Sequence, residues 1–269
     1  MRYPAVSGMF YPDGKSDLES IIDRSLSRAE IPDLAIGRLI GVVVPHAGYE
    51  YSGTTAAYSY NILRKYAPGR DFVILGPNHR GTGSSISTTG DDWRTPLGDA
   101  RVNIGIMNEI LSEARIVEND PRSHRAEHSI EVQIPFLQRV FDNDFTFVPI
   151  SLWYQEEDVV EILGSVLSRH SGEFSIIASS DLNHYQKREI TDRKDLELIA
   201  RIEELDVKGF YKTLRDLDVS ACGYGPIATL MHVTRELGGR MKLIHHTTSG
   251  EVTGYGEPVV GYASLVSYL

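Results

Sequence analysis

The apolar segment LIGVVV (residues 39–44) leads directly into the sequence PHAG (residues 45–48). It lacks the polar alternation of a half-exposed strand, which is typical of a strand buried on both faces of a sheet. Residues 72–75 and 174–178 are apolar runs of the same kind, and each also ends in a Gly, Pro or Ser break. These three segments predict a sheet whose two faces are covered by helices.

Strands and helices alternate along the rest of the chain. Further strands are predicted at residues 145–150, 242–246 and 259–266, and the Gly-rich residues 81–97 predict a surface loop or a hairpin. The alternation favours one α/β domain over residues 1–269, a three-layer sandwich with a central, largely parallel or mixed β-sheet flanked by helices. Helical periodicity predicts helices at residues 16–29, 54–65, 103–114, 129–141, 156–168, 192–204, 207–214 and 227–237.

The composition limits the kinds of partner. A net charge of −10 without a long basic stripe argues against nucleic-acid binding, because phosphate contacts need clustered Lys and Arg. No segment approaches the roughly 18 apolar residues of a membrane span, and residues 1–14 carry turn residues where a signal peptide is apolar. We therefore expect a cytoplasmic protein that binds neither nucleic acid nor membranes. The one cysteine, Cys222, excludes an intramolecular disulfide and a multi-cysteine zinc site.

Ionisable side chains follow three of the predicted strands directly. His46 follows residues 39–44, His79 follows residues 72–75, and Asp181 and His184 follow residues 174–178. Ligands of open α/β sheets bind in the crevice beyond the carboxyl ends of the strands. If the three strands are parallel neighbours, we expect these four side chains to converge there. A single loop histidine is more often structural or merely exposed, but three such placements together favour a functional site.

The sequence EHSIE (residues 127–131) opens a predicted helix. His128 and Glu131 are three positions apart, so in a first helical turn they lie on one face and can address one site. The alternative is that Glu131 only complements the helix dipole and that His128 is a solvated neighbour of the cap.

The sequence SACGYGP (residues 220–226) enters another predicted helix through a tight loop. At a helix N-terminus the dipole favours the thiolate of Cys222, and hence nucleophilicity or metal ligation, whereas a cysteine elsewhere is usually buried and inert. Tyrosines adjoin three of these motifs: Tyr49 follows PHAG (residues 45–48), Tyr185 follows His184 and Tyr224 follows Gly223. Each is a candidate for lining a substrate pocket, and packing is the alternative for each.

These motifs resemble those of the Memo (mediator of cell motility) family, and the match covers essentially the whole chain. The segments that carry the resemblance are RYPAVSGMFYP (2–12), PHAGY (45–49), LGPNH (75–79), EHSIEVQIPFL (127–137), SSDLNHY (179–185) and ACG (221–223). The resemblance implies a fold shared with class III extradiol dioxygenases, which are non-haem iron enzymes that hold Fe(II) with two histidines and a carboxylate. Prokaryotic members of the family work alongside a radical-SAM protein, so the resemblance also implies such a partner.

The resemblance also implies a role for each site residue. His46 and His79 match metal ligands, and Cys222 replaces the carboxylate, which changes the charge and redox behaviour of a bound metal. The imidazole and thiolate ligands suit iron, which we expect, and also copper or zinc, but they do not suit magnesium or calcium. His184 would be the acid/base histidine, and Asp181, His128 and Glu131 would surround it.

Three functions remain open at this point. The leading hypothesis is a metal-dependent redox enzyme, of the oxygenase or oxidase kind, that acts on a small organic substrate. The second is a non-catalytic protein that captures a peptide or protein partner in the same cleft. The third, which we rank last, is metal-assisted or cysteine-based hydrolysis, in which Cys222 and His184 could form a pair of nucleophile and base.

Overall fold

Four parallel strands form the centre of one mixed sheet in the computed structural model, which describes residues 1–254 and 256–269. The strand order is β10-β11-β1-β8-β2-β7-β3-β6, with β4, β5 and β9 attached beside this path. The strands are β1 (Leu39–Val44), β2 (Asp71–Pro77), β3 (Ile86–Thr88), β4 (Trp93–Thr95), β5 (Gly98–Val102), β6 (Glu118–Asn119), β7 (Thr146–Leu152), β8 (Ser175–Ser179), β9 (His184–Gln186), β10 (Arg240–Thr248) and β11 (Val259–Tyr268).

The three strands that precede the ionisable motifs are adjacent and parallel. β8 pairs in parallel with β1 on one side and with β2 on the other, so that Val44 lies opposite Ser179 and Leu75 lies opposite Ala178. Every residue of β1 and β8 is buried, as the absence of polar alternation predicted. The carboxyl ends of the three strands therefore lie side by side at one edge of the sheet.

Helices cover both faces of the sheet and complete a three-layer α/β sandwich. α1, α2 and α4 pack together over β1 and β11, whereas α8 packs on β1, β2 and β8 and is itself covered by α5. The predicted fold class is thus confirmed. The helices are α1 (Lys15–Arg28), α2 (Tyr49–Tyr66), α3 (Ile104–Glu113), α4 (Ile134–Val140), α5 (Glu157–Arg169), α6 (Arg188–Glu203), α7 (Val207–Asp216), α8 (Tyr224–Glu236) and α9 (Ser249–Thr253).

Two local predictions differ from the structure. Residues 81–97 are more than a surface loop, because β3 joins the main sheet beside β7 and Trp93 of β4 is buried. β4 forms the expected hairpin, but its partner β5 lies beyond the predicted segment. The helix predicted at residues 129–141 begins only at Ile134, after a short 3-10 turn at Glu131–Gln133. Among the described residues, no helix has the length and apolarity that crossing a membrane requires.

Candidate metal centre

His46, His79 and Cys222 meet at the carboxyl edge of the sheet. His46 follows β1, His79 follows β2, and Cys222 lies in the loop that enters α8. Each side chain offers one ligand atom, and the three atoms lie within 4.8 Å of one another. The closest pair is Nε2 of His46 and Sγ of Cys222, at 3.1 Å. The fold therefore brings together all three of the metal ligands that the resemblance implied.

The tautomer of His46 is set by a buried hydrogen-bond chain. Ser179 Oγ donates its hydrogen to the carbonyl of Ser129 and accepts from Nε2 of Gln133. Its 2.9 Å contact with Nδ1 of His46 therefore requires Nδ1 to be the donor. Nε2 of His46 then carries the lone pair, and burial lowers the pKa of His46 well below its ordinary range, which keeps the ring neutral.

The tautomer of His79 is set by a carboxylate. Nδ1 of His79 lies 2.9 Å from Glu127 Oε1, and the backbone N–H of His79 donates to Glu127 Oε2 at 2.6 Å. Glu127 is buried, which raises its pKa, but the hydrogen bond from His79 opposes burial and the net pKa is about 2. Its ionised carboxylate can only accept, so Nδ1 of His79 is protonated and Nε2 is free. A metal-binding histidine commonly has this carboxylate behind it.

The donor atoms fit a transition metal. Two imidazole nitrogens and one sulfur suit iron, copper or zinc, whereas calcium and magnesium prefer all-oxygen sites. Three protein ligands also leave a coordination position open, which distinguishes catalytic from structural sites. His46, His79 and Cys222 would hold the ion.

The environment of Cys222 differs from the prediction. The thiol lies just before α8, as expected, but burial raises its pKa, and the nearby Asp181 carboxylate raises it further. Since Nδ1 of His46 carries that ring's proton, the S–H of Cys222 donates to Nε2 of His46. Without a metal, desolvation outweighs the helix dipole and the cysteine is a neutral thiol.

His184 presents a free nitrogen beside this group. Its Nδ1 lies 2.9 Å from the carbonyl oxygen of Ser220, which can only accept, so Nδ1 is protonated and Nε2 carries the lone pair. The backbone N–H of His184 donates to Ser220 Oγ at 2.8 Å. Ligand atoms of His184, Asp181 and Cys222 also lie within 4.8 Å of one another. A molecule bound beside His46, His79 and Cys222 would therefore lie near His184.

Asp181 connects two of the ligand segments. Its Oδ1 accepts from the backbone N–H of His46 at 2.8 Å, and its carbonyl oxygen accepts from the backbone N–H of Cys222 at 3.3 Å. Burial raises the pKa of Asp181, while the nearby His184 opposes that shift. One residue thus fixes the spacing between His46 and Cys222.

His128 belongs to the cleft. Its ring stacks on His79 with centroids 4.6 Å apart and contacts Phe10 at the same centroid distance. Burial lowers the pKa of His128 to about 4, so that a neutral ring faces the cleft at pH 7.

Glu131 lies elsewhere, and the prediction that it shares a face with His128 is wrong. His128 lies before the 3-10 turn that begins at Glu131, so the two residues do not share one helix and the three-residue spacing does not align their side chains. The Glu131 carboxylate is fully buried against the N-terminal segment. It accepts from the backbone N–H groups of Ala5 and Val6 and from the Tyr11 hydroxyl, and it pairs with Arg2 at 2.6 Å.

The tyrosines divide into two groups. Tyr49 is buried, its hydroxyl donates to the carbonyl of Val132, and its ring packs on Phe136. Tyr224 packs edge-on against Tyr211. Neither lines the cleft, so packing accounts for both.

Tyr185, in contrast, lines the cleft and is 75% exposed. Its backbone has φ of 56°, a left-handed conformation that costs a non-glycine residue roughly 1–2 kcal/mol. Of the three tyrosines that the sequence suggested for a substrate pocket, Tyr185 is thus the one that lines the cleft.

The cleft has a volume of about 720 Å³. Sequence reasoning missed the polar groups behind its ligands, Glu127, Ser179 and Gln133, because none of them follows a strand as an ionisable residue. The sequence indication was that all three lie within segments that carry the family resemblance, Glu127 and Gln133 in EHSIEVQIPFL (127–137) and Ser179 in SSDLNHY (179–185). The residues that line the cleft are Phe10, His46, Ala47, Gly48, Tyr51, His79, His128, Asp181, His184, Tyr185, Ser220, Cys222, Ser249, Pro258, Val260 and Tyr262.

Comparison with known proteins places the chain among relatives of similar length. A MEMO1 family protein of Thermoplasma volcanium is 47% identical over 270 residues, which cover 99% of this chain and 98% of that protein. A MEMO1 family protein of Thermoplasma acidophilum is also 47% identical, over 100% of this chain and 99% of that protein. One of Methanosarcina barkeri is 41% identical over 99% of each chain.

A solved structure supports the fold. The uncharacterized protein JW3007 from Escherichia coli K12 superposes with a TM-score of 0.55, covering 86% of this chain and 100% of that one. The sequences are 13% identical, so this likeness concerns the fold alone. The family model described as Memo-like protein matches residues 2–266. With close relatives along its full length and a family match from end to end, the chain belongs to the Memo-like protein family.

Proposed function

We propose that this protein is a metal-dependent redox enzyme, of the oxygenase or oxidase kind, that acts on a small organic substrate in the cleft. The observation that carries the proposal is the convergence of His46, His79 and Cys222, with ligand atoms within 4.8 Å of one another beside an open cavity. Iron is the metal that we propose first, with copper or zinc as alternatives. A bound iron ion would supply redox chemistry and an open position for substrate or dioxygen.

The surrounding residues support turnover. Hydrogen bonds to Ser179 and Glu127 direct one free nitrogen of each histidine ligand, so the site is organised before the ion arrives. His184, whose Nδ1 proton is held by the Ser220 carbonyl, can accept or return a substrate proton at Nε2. Phe10 and His128 pack against each other on another wall of the cleft and would limit the water around the substrate.

Elemental analysis of protein purified without added metal tests this proposal. We expect about one metal ion per chain in the wild type, as a three-ligand site holds a single ion, and loss of it in His46→Ala and in His79→Ala. His245→Ala is the matched control, because His245 stacks on Tyr58, does not line the cleft and belongs to no group of described side chains that could hold a metal ion. Unchanged, stoichiometric metal in both ligand variants would overturn the proposal. Oxygen uptake by iron-loaded protein, surveyed with small organic compounds, then tests the redox assignment.

A second candidate function is capture of a peptide or protein partner without turnover. The observation in its favour is that Tyr51 and Tyr185, at the rim of the cleft, are 44% and 75% exposed. Exposed aromatic residues are enriched at binding interfaces. Partner binding that survives complete chelation, in a protein that never consumes oxygen, would favour this function over the enzyme.

A further inference from the structure

The walls of the cleft are rich in aromatic side chains. Phe10 lies on one side beside His128, and Tyr51, Tyr185 and Tyr262 also line the cleft. These rings come from four different parts of the chain, so they do not all belong to the packing of one helix or strand. A cavity lined in this way accommodates an apolar or planar ligand body.

The charge of the lining is one-sided. Among the lining residues, all of which belong to the described part of the chain, none is Lys or Arg, whereas Asp181 contributes a carboxylate. Arg188, on the neighbouring α6, is engaged with Glu251 and Asp192. Arg80, beside His79, donates to the carbonyl of Ala126. Of the residues that the structure describes, no Lys or Arg therefore lines this cavity, and its basic side chains are histidines.

Tyrosine side chains line the same cleft as that carboxylate. Burial raises the pKa of Tyr262, the nearby Asp181 carboxylate raises it further, and the Tyr262 hydroxyl hydrogen-bonds Ser249. Tyr262 and Asp181 thus lie near each other in the lining of the cleft. Aromatic faces, hydroxyl oxygens and a carboxylate are the groups that stabilise an organic ammonium ion.

We propose that the substrate of this cleft is an organic cation, a protonated amine on an apolar or aromatic body, and that carboxylate-bearing compounds are excluded. A carboxylate in this cavity would lose its hydration without gaining an ion pair with Lys or Arg, and it would lie near Asp181. An ammonium group would gain contacts with the exposed rings of Tyr51 and Tyr185 together with the Asp181 carboxylate. This inference rests on the proposed function in one respect: the part of the substrate that reacts would lie beside His46, His79 and Cys222.

Calorimetric titration with three matched probes tests the ligand class: 2-phenylethylamine, 2-phenylethanol and 3-phenylpropanoate. At pH 7.5 we expect the amine to bind at least about ten-fold more tightly than the alcohol, and the carboxylate to bind more weakly than either. The same order is expected after chelation, because a direct amine–metal bond is then impossible. Equal or tighter binding of the carboxylate, or no binding of any probe at millimolar concentration, overturns the inference.

Variants at the rim identify the groups responsible. Tyr185→Ala should weaken amine binding by about five-fold or more while alcohol binding changes less, and Tyr185→Phe, which keeps the ring, should retain the preference for the amine. Tyr154→Ala is the matched control, since Tyr154 is an exposed aromatic residue that does not line the cleft. An unchanged amine preference in Tyr185→Ala would contradict the assigned role of the ring.

Metal content, measured on the same samples, separates the two proposals. A preference for the amine in protein that never retains metal would overturn the metal-dependent function and leave the ligand class intact. A preference for the carboxylate in protein with stoichiometric metal would overturn the ligand class and leave the metal-dependent function intact.

Discussion

Nε2 of His46 lies 3.1 Å from Sγ of Cys222, although the two residues are 176 positions apart in the sequence. The His46 proton is held on Nδ1 by Ser179, so the hydrogen between the two side chains belongs to sulfur. The free protein therefore holds a neutral thiol at a point where a metal would require a thiolate. Metal binding and loss of the thiol proton must be coupled.

This coupling predicts proton release on metal uptake. Burial raises the pKa of Cys222, so at pH 7 the thiol is protonated before the ion binds and ionised afterwards. When Zn²⁺ is added to protein from which a chelator has removed the metal, about one proton should be released per ion bound. Calorimetry in two buffers of different ionisation enthalpy measures this release. Cys222→Ser should bind the ion more weakly and without this release. A wild type that takes up Zn²⁺ without releasing a proton would show that Cys222 is not a ligand.

Glu127→Gln should weaken metal binding without removing a ligand. The variant keeps the shape of the side chain but lacks the negative charge that holds the Nδ1 proton of His79. Loss of such a partner typically lowers metal affinity by about 10- to 100-fold. Competition with a chromophoric chelator measures the change. Glu236→Gln, which changes a carboxylate beside His232 outside the cleft, is the control and should bind metal like the wild type.

Glu131→Ala should destabilise the fold. The substitution leaves the Arg2 guanidinium buried without its partner and removes the acceptor for two backbone N–H groups. Truncating one side of a buried ion pair costs about 3–5 kcal/mol in the free energy of unfolding, which urea denaturation can measure. Asp23→Ala, which breaks an exposed pair with Arg139, should cost less than about 1 kcal/mol. Similar losses in both variants would mean that Glu131 does not anchor the N-terminal segment.

The protein should lose stability as the pH falls through the titration range of its buried histidines. Burial lowers the pKa of His124 to about 4 from an ordinary value of 6.5. Between these values the unfolded chain binds a proton that the folded chain does not, so acid favours unfolding. From pH 6.5 to 4.5 this residue alone contributes a loss of roughly 2–3 kcal/mol. Between pH 6.5 and 4.5, the free energy of unfolding of metal-free His124→Phe should therefore fall by roughly 2–3 kcal/mol less than that of the metal-free wild type.

His170 provides a control for the pH experiment, because its expected effect on stability has the opposite pH dependence to that of His124. A hydrogen bond to Glu113 raises the pKa of His170, so its stabilising contribution is present below pH 6.5 and is lost as the pH rises through the folded pKa. His170→Gln should accordingly destabilise the protein more at pH 5.5 than at pH 8. If His124→Phe and His170→Gln change the pH dependence of the free energy of unfolding in the same direction, then the opposite pKa shifts assigned to His124 and His170 are wrong.

Local sequence patterns determined the sheet and the location of the site. Segments such as LIGVVV (residues 39–44) are apolar throughout, and a strand of that composition is stable only where helices cover both of its faces. A parallel sheet aligns the carboxyl ends of its strands, so His46, His79 and His184 had to approach the same edge once β1, β8 and β2 were neighbours.

Only the tertiary structure decided what surrounds these side chains. Spacing placed Glu131 beside His128, but His128 lies outside the helical turn that begins at Glu131, and the carboxylate instead holds the N-terminal segment. A helix N-terminus favoured a thiolate at Cys222, yet burial keeps the thiol protonated. Partners such as Glu127 and Ser179 become visible only when distant segments pack, because hydrogen bonds and desolvation depend on distances in space that sequence separation does not determine.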